Sequence, residues 1–196
     1  MKDSPNSHQG VHWMLVLLSL IYPLLRYCYF GTTPVSQIPL YIFNKSLCIY
    51  ATGSLLMAVW ERRSAGAATG SLWISRVMVS TALHVLISLP LMGPHYFKKL
   101  YENNTMTWAA EISMLAGVFA TVAYWRPYCN SSRLSAVSLR LRTGVLLVAV
   151  HLAFIGYAGW FTPSNWQGGV PPVTLLCFLV TVVTAVMMWP HPDDVF

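Results

Sequence analysis

The sequence predicts an all-α integral membrane protein, one bundle of six transmembrane helices with both termini on the inner side. Three observations carry that expectation. Of 196 residues, 56% are hydrophobic and 9% charged, whereas a soluble domain carries about a quarter charged residues. Six predominantly apolar stretches approach the roughly 20 residues needed to cross a hydrocarbon core of about 30 Å. The basic residues divide unevenly between the two sides that those stretches define.

The stretches are 11–30, 38–60, 72–92, 106–125, 142–161 and 170–189. A polar N-terminus before "WMLVLLSLIYPLL" imitates a signal peptide. No small-residue cleavage site follows, and "LLRYCYFG" closes the stretch, so the first span is expected as a retained helix. Pro34 and Pro39 precede the second span, Pro90 and Pro94 mark the exit of the third, and Pro163, Pro171 and Pro172 separate the fifth from the sixth. Each lies where a helix should begin or end. Trp60, Trp73, Trp108, Trp125, Trp160, Trp166 and Trp189 fall near span ends, as interfacial anchors do. The longest connection, 126–141, is sixteen residues and reads as a solvated loop. Residues 1–196 are expected to form one domain, most of its spans lying within about 38–189, with no soluble nucleotide-binding domain. No GxGxxG after a strand, P-loop, HExxH or nucleophile elbow occurs.

Net charge is +6, and its distribution matters more than its sum. Six spans place Lys2, Arg62, Arg63, Arg76, Arg126, Arg133, Arg140 and Arg142 on one side, and Arg26, Lys45, Lys98 and Lys99 on the other. Eight against four puts the N- and C-termini on the cytoplasmic or equivalent side. The bilayer is the first partner, and the pattern addresses no nucleic acid. Arg62, Arg63, Arg140 and Arg142 read either as headgroup contacts or as a site for a flavin pyrophosphate. Cys28, Cys48, Cys129 and Cys177 show no CxxC or metal-ligand spacing, so neither a disulfide framework nor a cysteine-held cluster is expected.

Six histidines are present: His8 and His191 are terminal, His12 edges the first span and His95 lies in an outer loop. Only His84 and His151 fall well inside spans, where an ionisable side chain is costly and calls for a partner. His84 follows Arg76 by eight residues and His151 follows Arg142 by nine. At about 1.5 Å per residue these are depths of about 12 and 13 Å on two parallel helices. Two neutral imidazoles facing each other at one depth suit bis-histidine haem ligation. Zinc or copper would be left with an incomplete shell, and an interhelical hydrogen bond is the plainer alternative for either histidine. A second haem would need histidines 13 or 14 residues away, but those positions hold Gly70, Ser71, Phe97 and Lys98, and Val137, Ser138, Ser164 and Asn165. Small residues, among them Gly117 and Gly156, offer room for a macrocycle, or simply close helix packing. Glu111, the one carboxylate well inside a span, reads as a helix cap or a charge partner. Tyr96, Lys98, Lys99 and Tyr101 give the outer 3/4 loop a solvated or partner-facing surface. "NNT" at Asn103 is a glycosylation acceptor where the outer side is a secretory lumen.

"LHVLISL" around His84, "WAAEISMLAG" from Trp108 and "VHLAFIGYAGW" followed by Pro171 and Pro172 resemble, in order and spacing, the ferric reductase-like transmembrane domain. They are most similar to the membrane part of the six-transmembrane epithelial antigen of the prostate metalloreductases. The resemblance covers about residues 72–185. It implies one haem b with His84 and His151 as axial ligands of its iron, and electrons arriving from an inner FAD. In that family an NADPH-binding domain reduces the flavin; without one, the donor is expected to be a partner reductase, a flavin or a quinol. The expected activity is single-electron transfer to an outer acceptor such as ferric or cupric ion, with no catalytic residue beyond the haem. Two alternatives are a haem subunit of a methionine sulfoxide reductase system and an accessory subunit of a larger membrane complex, with other membrane subunits or further copies of the chain as partners.

Overall fold

A computed structural model of the protein describes residues 5–31, 38–65, 71–129 and 134–189. Six long helices account for almost all of it: α1 (Pro5–Pro23), α2 (Ile38–Ala65), α3 (Ser71–Leu91), α4 (Trp108–Cys129), α5 (Leu134–Trp160) and α6 (Val173–Met188). All six, α1 with its continuation and α6 with the turn before it, are long and apolar enough to cross a membrane. Their outward residues, including Leu86, Leu115, Phe119, Val122 and Leu146, expose large apolar side chains, as lipid-facing surfaces do.

α2 is the central helix. Over half of its span (56%) is buried, against 17–28% for the others. It packs on α1, α3 and α6, while α4 pairs with α5 and α5 with α6. With the slighter contact between α3 and α4, helices α2 to α6 close into a ring, and α1 rests outside it on α2. Polar residues on these apolar helices return their hydroxyls to the same helix. Ser46 donates to Ile42 O, Ser80 to Arg76 O, Thr121 to Gly117 O and Thr181 to Cys177 O. Each satisfies its donor without water.

Proline shapes the end of α1. Pro23 has no N–H to continue the ladder, and the chain runs on as a π-helical turn, Leu24–Tyr29, that carries the buried Arg26. One end of the bundle holds the last turns of α2 and α4, the first turns of α3 and α5, and the arginines Arg62, Arg63, Arg140 and Arg142; this is the basic end. The other holds a small hairpin, β1 (Tyr101–Glu102) paired with β2 (Thr105–Met106). Asn103 and Asn104 at its tip have φ of 50° and 63°, and asparagine is among the few residues that tolerate such a primed turn.

Three expectations change in the structure. The segment 126–141 is not a sixteen-residue loop: α4 continues to Cys129 and α5 already begins at Leu134, putting Arg140 and Arg142 on a helix. "LSAVSLRLR" holds no glycine or proline, so nothing stops the helix where the apolar run stops. Trp73 is no interfacial anchor; it is 1% exposed and donates its indole N–H to Glu61, with the Arg76 guanidinium 4.3 Å above its ring. The outer 3/4 loop is not simply solvated: a 3₁₀ turn at Lys98–Leu100 leads into the hairpin, and its Phe97 and Leu100 turn inward.

Candidate functional site

His84 stands on α3 and His151 on α5, and both line one cavity inside the α2–α6 ring. The way each ring is held decides its chemistry. His84 Nδ1 is 3.2 Å from the backbone carbonyl of Asn44 on α2. His151 Nδ1 is 2.8 Å from the carbonyl of Ser113 on α4. A carbonyl only accepts, so in both rings Nδ1 carries the proton and Nε2 carries the lone pair. Neither Nε2 takes a hydrogen bond from the described residues. Ser113 completes the His151 seat: its hydroxyl donates to His151 O at 3.0 Å and lies 3.0 Å from Nδ1.

Gly117, one turn further along α4, is shaped by the same ring. A Cβ built there would meet His151 Nδ1 at 3.1 Å, tighter than ordinary van der Waals contact. Glycine thus lets the imidazole lie against the α4 backbone and present its far edge to the cavity.

The cavity has about 190 Å³ open to the centres of water molecules. One water needs roughly 10–15 Å³ by that measure, so this is no packing defect. Much of its wall is apolar, from residues such as Val77, Val85, Val148 and Leu152. Toward the hairpin end it meets Lys45, Met92, Phe97 and Leu100; toward the basic end it meets Thr121 and Tyr124. Tyr124 is 3% exposed, and its hydroxyl has no hydrogen-bond partner among the described residues. Gly144 of α5 makes room for the tyrosine ring.

These groups suit a flat macrocycle with axial nitrogens. The donors are two neutral imidazoles from α3 and α5, helices on either side of α4, each oriented by a backbone acceptor as metal-bound histidines are. The walls are apolar, and one buried phenol lacks a partner. Among the described residues no three His, Cys, Asp or Glu side chains gather as a metal-binding group. Cys48 also lines the cavity, but its thiol is turned to Cys177, 3.6 Å away, and both sulfurs are free.

The other expected site residues lie elsewhere. Gly156 does not line the cavity. A Cβ there would run into Thr174 of α6 and the Trp160 indole, which donates to Thr174 Oγ1 at 3.0 Å. Its smallness therefore serves the α5–α6 contact. Arg62 and Arg63 end α2, while Arg140 and Arg142 lie on α5; none reaches the cavity. Arg142 Nε is nonetheless buried without a hydrogen-bond partner among the described residues. Glu111 is exposed in the first turn of α4, where its charge suits the helix dipole. The side-chain cap is Thr107, whose hydroxyl accepts from Ala110 N at 3.4 Å.

Sequence reasoning missed Asn44, Ser113, Lys45 and Tyr124. Asn44 and Ser113 act on the imidazoles through their backbone carbonyls, which every residue type supplies. Lys45 and Tyr124 left a signal, since each is polar within an apolar span. No family model, curated protein or solved structure matches the chain.

Proposed function

We propose that the protein is a membrane-embedded b-type cytochrome that passes single electrons from a donor at its basic end to an acceptor at its hairpin end. One observation carries this reading. Two imidazoles with their Nδ1 protons committed to backbone carbonyls, and with no hydrogen bond to Nε2 among the described residues, line one apolar cavity. A haem bound by two such imidazoles supplies a one-electron iron couple. The chain's part is to hold the two Nε2 atoms in place, keep water from the cavity, and set the electrostatics around it. The ferric reductase-like likeness supports the reading through the segments around His84, Trp108 and His151.

The charge distribution supports a cytoplasmic or equivalent basic end. Arg26, 6% exposed, lies inside the protein, and Lys45 faces the cavity. At the basic end Arg76 and Arg142 also bury guanidinium nitrogens, so the reading rests on the tally of eight basic residues against four. Arginines at the basic end suit an anionic donor such as a flavin, with a quinol or partner reductase as other sources. The acceptor class is a ferric or cupric species or a partner protein.

The test is haem content and electron flow together. Purified protein should hold one haem per chain. In vesicles loaded with reductant on the basic side, an external ferric chelate should be reduced only while both histidines are present. Reduction at the same rate in His84→Ala vesicles would overturn the proposal.

A further inference from the structure

Lys45 follows Asn44, the residue whose carbonyl orients His84, and it lines the same cavity as both imidazoles. Its ammonium lies 5.2 Å from the Tyr41 ring and 5.3 Å from the Phe97 ring, and within electrostatic range of His84 and His151. The groups that bear on its charge are the phenols of Tyr41 and Tyr27 and the thiols of Cys48 and Cys177. None is a carboxylate, and among the described residues the lysine has no ion pair. An ammonium taken out of water is costly unless an anion meets it, and two aromatic faces offset only part of that cost.

We infer that Lys45 receives a carboxylate of the molecule that fills the cavity; on the haem reading above, this is a macrocycle propionate directed to the hairpin end. The placement fits that occupant. Lys45 lines the cavity beside the His84 seat together with Phe97 and Leu100, and the opposite end presents neutral hydroxyls, those of Thr121 and Tyr124. A propionate there neutralises the lysine where no protein carboxylate does. The pair is a charge-assisted hydrogen bond in a low-dielectric setting, the kind that counts most.

The experiment compares protohaem with its dimethyl ester, which has the same iron and ring but no carboxylates. Each is titrated into detergent-solubilised apoprotein and followed by absorbance. Wild type should bind the free acid about tenfold more tightly than the ester, the effect of one charge-assisted contact. Lys45→Met should bind the two about equally, Lys45→Arg should restore the preference, and the Lys45→Met haem should have a lower midpoint potential because a cation of the cavity wall is gone. Equal binding of acid and ester by wild type would overturn the assignment without any variant having to fold. A preference that survives in Lys45→Met would do the same. Failure of both compounds to bind wild type would sink the haem reading, and this inference with it.

Discussion

The two histidine seats differ in how they are built. His151 lies between tightly packed α4 and α5, held by a 2.8 Å bond to Ser113 O, bridged by the Ser113 hydroxyl and pressed against Gly117. His84 lies between α3 and α2 and is held by one longer bond, 3.2 Å, to Asn44 O. Beside it, the Ser88 hydroxyl reaches Asn44 Oδ1 at 3.3 Å and leaves the ring alone. One imidazole is fixed from three directions and the other from one. One seat is therefore rigid and the other adjustable, and variants on the two sides should not behave alike.

The largest effects come from the ligands. His84→Gly and His151→Gly should each lose the bound haem, and added imidazole should restore it to His84→Gly at the lower concentration. Only a carbonyl acceptor has to be satisfied there, whereas loss of the His151 ring also removes a neighbour of Ser113. Equal rescue, followed by absorbance titration, would make the seats equivalent.

Gly117→Leu comes next. Its side chain takes the space of the His151 ring, and overpacking of this kind costs about 1–3 kcal/mol. Haem content should fall sharply in protein that still folds, measured by haem-to-protein ratio and circular dichroism; Gly117→Ala should show a weaker version. Gly156→Ala should cost a similar amount of stability by pushing α5 from α6, seen in thermal unfolding, while the haem spectrum stays as in wild type. A changed spectrum would return Gly156 to the cavity. The smallest effect is Ser113→Ala. It deletes the hydroxyl bridge, worth about 1 kcal/mol, but keeps the carbonyl that holds Nδ1. Stability should drop slightly with both ligands retained, and Ser88→Ala at the looser seat should drop it less.

Much of this was legible in the sequence. The six spans were, because bilayer thickness imposes a length that apolar runs must match. His84 and His151 were, because an imidazole deep in such a run is costly enough to stand out, and two basic residues served as depth marks. The backbone acceptors were not: Asn44 and Ser113 contribute an atom common to every residue. Small residues were ambiguous for a similar reason. Gly117 makes way for the His151 ring and Gly156 for Thr174, and both read as a missing side chain. Lys45 was read as one charge in an outer tally, since nothing along the chain tells that α2 turns it inward beneath Phe97. The start of α5 was missed because hydropathy ends at Arg142 while the helix, with no breaker before it, extends back to Leu134.

The central claim, that His84 and His151 together hold one haem, is tested most directly by the absorbance and electron paramagnetic resonance spectra of the purified protein, oxidised and reduced, beside those of His84→Ala and His151→Ala. The account predicts a low-spin bis-imidazole haem at one per chain in wild type and its loss in either variant. Folded wild-type protein isolated without haem from haem-replete cells would contradict it, as would an unchanged low-spin spectrum in either variant.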